Sequence, residues 1–233
     1  MLILKNCKIK IIKNGPYVVT GNVPLEEDII LYKGQENKYA KGQTLPQAEE
    51  YALCRCGKSK NMPFCDGSHS KVQFDGTEKA SKEPYLNQAE LIEGPDLALT
   101  DAAELCAFAR FCHKAHGDVW NMTEESDNSK NREEAIRAAC DCPAGRLVVW
   151  DKQTREAIEP AYTPSIVILQ DTDRQCSGPI WVRGGIPIES SDGSIYEIRN
   201  RVTLCRCGES TNKPFCDASH VTTKFSDKKI EHF

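Results

Sequence analysis

One loop occurs twice in this chain of 233 residues, as LCRCGKSKNMPFCDGSH at 53–69 and LCRCGESTNKPFCDASH at 204–220. The repeat extends upstream. GPYVVTGNVPL (15–25) and GPIWVRGGIPI (178–188) share Gly-Pro, a β-prone run, Gly, a two-residue step and Pro-aliphatic, the mark of a duplicated unit. Gly15 and Gly178 stand 163 positions apart but Cys54 and Cys205 only 151, so the first copy carries 12 extra residues between strand and loop. YKGQENKYAKGQTLPQAEE contains them and reads as an exposed excursion. A β unit of about 50 residues is too small to build a good core alone. The two copies are therefore expected to pair about an internal pseudo-two-fold, the second standing in for a dimer partner and the chain remaining a monomer.

Twelve cysteines are many for this length. The N-terminus, MLILKNCKIKIIKNG, interleaves Lys with Ile and reads as a first strand rather than a signal peptide. A reducing, cytoplasmic setting is expected, in which clustered cysteines are metal ligands rather than disulfides. Thirty basic against 34 acidic residues argue against a nucleic-acid binder. A mean hydropathy of −0.51, with no apolar run long enough to span a bilayer, argues against a membrane protein.

Both loops have the spacing C-x-C-x8-C-x3-H: Cys54, Cys56, Cys65 and His69, then Cys205, Cys207, Cys216 and His220. Cysteines at i and i+2 of an extended strand point to one side and can share a metal. A Cys and a His at i and i+4 share one face of a helical turn and can share another. Asp66 and Asp217 are placed to start that turn. Three Cys and one His equally suit a tetrahedral zinc.

The motifs CRCGKSKNMPFCDGSH and CRCGESTNKPFCDASH resemble the CDGSH iron–sulfur, or mitoNEET-like, family, over roughly half the chain. The resemblance implies a [2Fe–2S] cluster in each loop, two in all. Cys54 and Cys56 would hold the inner iron of the first, and Cys65 and His69 the outer. Cys205 and Cys207 would hold the inner iron of the second, and Cys216 and His220 the outer. It also implies a β-rich pair of units carrying two cluster lobes. Replacing a fourth thiolate by neutral imidazole removes one negative charge, so the potentials should lie between those of plant-type ferredoxins and Rieske centres. The histidine is expected to be the proton-sensitive ligand. The function expected is electron transfer with a redox partner protein. The alternatives are delivery of clusters to apo iron–sulfur acceptors and a structural zinc module. No catalytic triad, phosphate loop or nucleotide fingerprint points to an enzyme. Ala218 stands where the first loop has Gly67, which strains the turn if that position needs positive φ.

The overall expectation is an α+β chain: a first unit at 1–88, a helical middle segment at 89–160 and a second unit at 161–233. In the middle, Asp101 and Glu104 resemble a helix cap. Leu105, Phe108, Ala109 and Cys112 follow helical spacing, and Gly117 reads as the stop. MTEESDNSKN (122–131) reads as a linker. A second helix is expected from Asn131 to Pro143, then a hairpin-like passage through AGRLVVWDKQTREAIEP. Cys106 and Cys112 would point about 120° apart on an ideal helix. With Cys140 and Cys142 they read as packed thiols, the alternatives being a third cluster, suggested by the Cys-Pro of CDCPAGRL, or a redox-sensing pair. His113 and His116 read as a polar helix end, and His232 lies in the tail. Trp181 and Tyr17 read as core. Arg55, Lys58, Lys60 and Lys71, and Arg206, Lys213 and Lys224, surround the two loops as tuning charges, an acidic partner's contacts or plain solvated charge.

Overall fold

The computed structural model describes residues 7–227; residues 1–6 of the expected first strand, and His232, lie outside them. The first unit contains β1 (Lys8–Ile11), β2 (Tyr17–Thr20), β3 (Leu25–Lys33), β4 (Glu36–Lys41) and β5 (Glu50–Leu53), then the short helix α1 (Ser68–Lys71). Alternation sets the strand faces. Ile9, Ile11, Tyr17, Val19, Tyr51 and Leu53 are buried, while their immediate neighbours Lys8, Lys10 and Val18 are not. The middle segment contains α2 (Tyr85–Gln88), β6 (Glu90–Glu93), β7 (Leu97–Asp101), β8 (His113–Lys114), β9 (Gly117–Asp118), α3 (Val119–Glu124), α4 (Ser129–Cys140), β10 (Leu147–Asp151) and β11 (Ala157–Ile158). The second unit contains β12 (Ser165–Asp171), β13 (Cys176–Arg183), β14 (Ile188–Glu189), β15 (Arg201–Leu204) and α5 (Ser219–Thr222).

The two units exchange strands. One sheet runs β14-β1-β2-β5 and another β15-β13-β12-β3-β4. In the first, β14 of the second unit lies parallel to β1, with Ile188 opposite Ile9. In the second, β3 of the first unit lies parallel to β12, with Leu25 opposite Ile166. The same bond closes each junction: Ile9 N donates to Pro187 O and Ile166 N to Pro24 O, both at 2.9 Å. The repeated Pro-aliphatic step is thus the point where each chain segment crosses into the other unit's sheet. β12 is buried along its whole length, because it is paired on both edges and covered on both faces. One apolar core runs through both units, from Ile9, Tyr17 and Leu53 to Ile180, Ile188 and Leu204.

The 12-residue excess forms the end of β3 and β4 rather than a free excursion. Tyr39 stacks on Phe111 at 4.3 Å and on Trp181 at 5.0 Å, and Asn37 Nδ2 donates to Ala109 O at 3.4 Å. These contacts dock the middle segment on the second sheet.

The helix expected between Asp101 and Gly117 does not form. Asp101 ends the buried strand β7, which pairs with β6 and β10. Its carboxylate accepts from Trp120 Nε1 at 2.9 Å and from Arg146 at 2.5 and 2.7 Å, so it caps nothing. A single 3-10 turn at Ala103–Leu105 leads into a loop in which Phe108 and Arg110 have φ of 56° and 63°, which no right-handed helix accommodates. Gly117 lies in a two-stranded hairpin with His113, so that histidine and His116 end no helix. The expected linker also contains structure, since α3 reaches Glu124. α4 begins at Ser129, earlier than the expected Asn131, because Asn128 Oδ1 caps Lys130 N and Asn131 N. Its Ala135, Ala138 and Ala139 pack with Leu147 and Val149 of β10, which turns into β11 as a hairpin.

Candidate metal centres

Each loop follows a strand, β5 or β15, and folds back onto it. Cys54 N donates to Pro63 O and Cys205 N to Pro214 O, both at 2.8 Å. Cys65 N donates to Ala52 O at 2.8 Å and Cys216 N to Thr203 O at 2.9 Å. The aspartate after the third cysteine holds the turn. Asp66 accepts from Lys60 N and Ser68 N at 2.9 and 3.0 Å, and Asp217 from Thr211 N and Ser219 N at 2.7 and 3.0 Å. Residue 67 or 218 then takes a left-handed conformation, φ 81° at Gly67 and 70° at Ala218, and the histidine follows on α1 or α5. Position 218 therefore carries the strain that alanine meets at positive φ.

The donors come in pairs. Cys54 Sγ and Cys56 Sγ are 3.7 Å apart, and Cys65 Sγ and His69 Nδ1 are 3.4 Å apart. In the second loop Cys205 and Cys207 are separated by 3.6 Å, and Cys216 Sγ and His220 Nδ1 by 3.4 Å. Two sulfurs about 2.3 Å from one tetrahedral metal lie about 3.7 Å apart, and a sulfur–nitrogen pair about 3.6 Å. Every pair thus has the separation of two ligands on one tetrahedral metal. Among the described residues, no three such donors converge on a point that a single ion could occupy.

The two loops touch through their glycines. A Cβ at Gly57, where φ is 70°, would overlap Cys207 O, and one at Gly208, where φ is 86°, would overlap Cys56 O. Only glycine lets the Cys56 and Cys207 backbones approach this closely.

Two arginines expected among the loop charges are buried instead. Arg55 lies over the Tyr17 and Phe74 rings and donates to Ile12 O at 3.3 Å and to Gly76 O. Arg206 lies over Phe225, donates to Gly178 O at 2.7 Å and Leu169 O at 3.1 Å, and pairs with the Asp227 carboxylate. Lys58, Lys60 and Lys71 are exposed.

The copies differ most in burial. Cys65 and His69 are half-buried, but Cys216 and His220 are only 2% and 3% exposed. The middle segment covers Cys216. Ala107, Ala144 and Cys142 pack against Cys216 as one apolar cluster, and Asn212 Nδ2 donates to Glu104 O at 3.0 Å. Burial, then the charges of Cys205, Asp217 and Cys106, push the Cys216 thiol well up. Burial, then the Arg206 charge, pushes the His220 imidazole down to about 4.

In the middle segment Cys106, Cys112 and Cys142 line one cavity with Ala144 and Arg146. Burial, then the charges of Cys142 and Cys106, push the Cys112 thiol up to about 12. Cys140 is directed elsewhere, its Sγ 3.6 Å from Ile158 O. The expectation that Cys106 and Cys112 project separately from a helix fails with the helix itself. The loop gathers three of them, and the Cys-Pro at Cys142 was the sequence signal for it.

Residues 14–70 and 177–221 match the family described as iron-binding zinc finger, CDGSH type. Residues 92–152 match the family described as divergent 4Fe-4S mono-cluster, while Cys112 and Cys142 pack against the apolar cluster of the middle segment, as the packed-thiol reading expects. The CDGSH iron-sulfur domain-containing protein 2 homologs of Drosophila grimshawi and Drosophila erecta are each 62% identical to this chain over 24 residues, 10% of this chain and 18% of theirs. The match thus spans less than a fifth of those relatives' length. No solved structure matches the chain. Among the described residues no helix is long and apolar enough to cross a membrane.

Proposed function

We propose that this chain, a tandem member of the CDGSH family, holds two [2Fe–2S] clusters and works as an electron-transfer protein. The observation that carries this reading is the pairing of donors. Two pairs per loop, each with the separation expected on one metal, suit two irons rather than one zinc. Cys54 and Cys56 would hold one iron of the first cluster, and Cys65 and His69 the other. Cys205 with Cys207, and Cys216 with His220, would do the same in the second. Such clusters supply one-electron exchange at potentials that the imidazole ligand raises. The protein's part is to fix the donors on strand ends, exclude water and place buried guanidinium groups beside them. Reciprocal exchange of β3 and β14 supports reading the chain as an intrachain pseudo-dimer, a monomer of 26.0 kDa.

The middle segment supports a further iron–sulfur centre, held by Cys106, Cys112 and Cys142. Three thiols around one cavity, in a segment matching a mono-cluster family, favour it. A [4Fe–4S] cluster takes four protein ligands as a rule, so its fourth position would fall to a group other than Cys140. Anaerobic purification with iron, sulfide and zinc analysis and Mössbauer spectroscopy tests both parts. About eight irons per chain are expected, in [2Fe–2S] and [4Fe–4S] environments. A colourless protein with two zincs would overturn the reading. Cluster delivery, the alternative role, would show as holo-ferredoxin formed from apo-ferredoxin at the expense of this protein's absorbance.

A further inference from the structure

The second loop touches both other donor groups, through different residues. Cys216 packs against Ala107, the residue after Cys106, and against Cys142 and Ala144. All three belong to the cavity that Cys106, Cys112 and Cys142 line. Asn212 fastens this contact through Glu104 O, two residues before Cys106. Arg201, on the strand leading into the loop, fastens it again by donating to Cys142 O at 2.8 Å and to Ala139 O and Leu147 O at 3.0 Å. Cys207 meets the first loop at Gly57, and Gly208 meets Cys56. The first loop then ends in Cys65 and His69, which are half-buried, whereas Cys216 and His220 are closed off.

We propose that the chain sets three iron–sulfur centres in single file, with the Cys205–His220 centre in the middle. The Cys106–Cys112–Cys142 centre lies at one end and the Cys54–His69 centre at the other. The file follows from which thiol abuts which. The middle segment reaches the second loop at Cys216, and the first loop reaches it at Cys207. This order also accounts for the burial of Cys216, which the middle segment covers, against the half-burial of Cys65 at the terminal station. The proposal rests on the iron–sulfur reading above and adds the order of the centres.

Dipolar coupling between two unpaired spins falls with the cube of their separation, so neighbours in a file couple far more strongly than its two ends. An oxidised [2Fe–2S] centre is diamagnetic and a reduced one is paramagnetic. The experiment is a potentiometric titration of the anaerobically purified full chain, followed by low-temperature EPR and microwave power saturation. The signal of the Cys106–Cys112–Cys142 centre, itself paramagnetic only when reduced, should broaden and relax faster once the second centre is reduced as well. His220→Cys adds a negative charge and lowers that centre's potential, so the onset of broadening should move to lower potential. His69→Cys should leave the onset where it is. Cys207→Ala should remove the broadening, and if that variant fails to fold, the wild-type titration and the two His→Cys variants still decide the order. Broadening that follows His69→Cys and ignores His220→Cys would overturn the proposal, as would three reduced centres with no mutual broadening. Iron near four per chain with no third signal would refute the three-centre reading itself, a result that metal analysis separates from a wrong order.

Discussion

The Tyr17 hydroxyl of the first unit donates to Cys205 O at 2.8 Å and reaches Pro214 O at 3.1 Å, fixing both ends of the second loop. Position 180, its counterpart in the repeat, is Ile, so the first loop receives no matching bond. Burial pushes the Tyr17 phenol well above its ordinary range and keeps it a donor. Tyr17→Phe leaves the buried Cys205 carbonyl short of this partner, while Pro214 O keeps Cys205 N, at a cost of about 1–3 kcal/mol. The expected outcome is faster loss of the second cluster under chelator challenge, with the first unchanged. Site-resolved bleaching, using Cys56→Ala and Cys207→Ala backgrounds, measures it.

Ala218 holds φ at 70° where Gly67 holds 81°. A Cβ at Gly67 meets nothing within 4 Å, so the penalty at this turn is conformational rather than steric. Ala218→Gly should stabilise the protein by about 1 kcal/mol and Gly67→Ala should destabilise it by a similar amount. Denaturant unfolding of the cluster-loaded protein checks both signs, and equal small losses from both changes would contradict the turn assignment.

Acid should separate the two clusters. Protonation converts an imidazole ligand into a non-binding imidazolium. Burial lowers the His220 imidazole to about 4, which keeps it neutral at pH 5.5, whereas His69 is only half-buried. Lowering the pH from 8 to about 5.5 crosses the ordinary His range. The expected trace is biphasic bleaching, with the fast phase absent in Cys56→Ala and the slow phase absent in Cys207→Ala. A single phase common to both sites would contradict the difference in access.

Asp227 neutralises the buried Arg206 beside the second centre, while Gly76, its counterpart, offers Arg55 only a carbonyl. The Arg206 charge and hydrogen bonds from Ser177 and Gln170 outweigh burial and hold the Asp227 carboxyl below its ordinary range, so it is ionised at neutral pH. Asp227→Asn removes one negative charge and should raise the second centre's potential by on the order of 50 mV, leaving the first unchanged. Film voltammetry reads the shift. The wild-type first centre should accordingly lie higher than the second.

The pairing of Cys54 with Cys56 and of Cys65 with His69 was legible because it is local: C-x-C on a strand end and C-x3-H across one helical turn are set by backbone geometry. The Gly-Pro and Pro-aliphatic repeats marked the duplicated strands, and the Pro24 and Pro187 junctions now show which strands are exchanged. The middle segment was misread because Leu105, Phe108, Ala109 and Cys112 have helical spacing by coincidence. Pairing of β7 with β10, and the bonds that engage Asp101, outweigh that local preference. The unequal burial of Cys65 and Cys216 left no trace in the repeat, since Cys216 is covered by Ala107 and Ala144, which have no copy. Arg55 and Arg206 looked like loop charges, because only the returning segments at Gly76 and Asp227 enclose them.

The exchanged strands impose an order on synthesis. β3 leaves the ribosome early, yet its parallel partner β12 lies about 140 residues downstream, and β1 waits still longer for β14. Until then Leu25 and Ile9 have neither their edge partner nor their share of the common core. The nascent first half is therefore an open edge with its thiols uncovered, and long-range pairing of this kind is slow. Both loops reach their finished surroundings together, only after the last strands emerge, so the first loop's thiols are covered only once the far end of the polypeptide has been made.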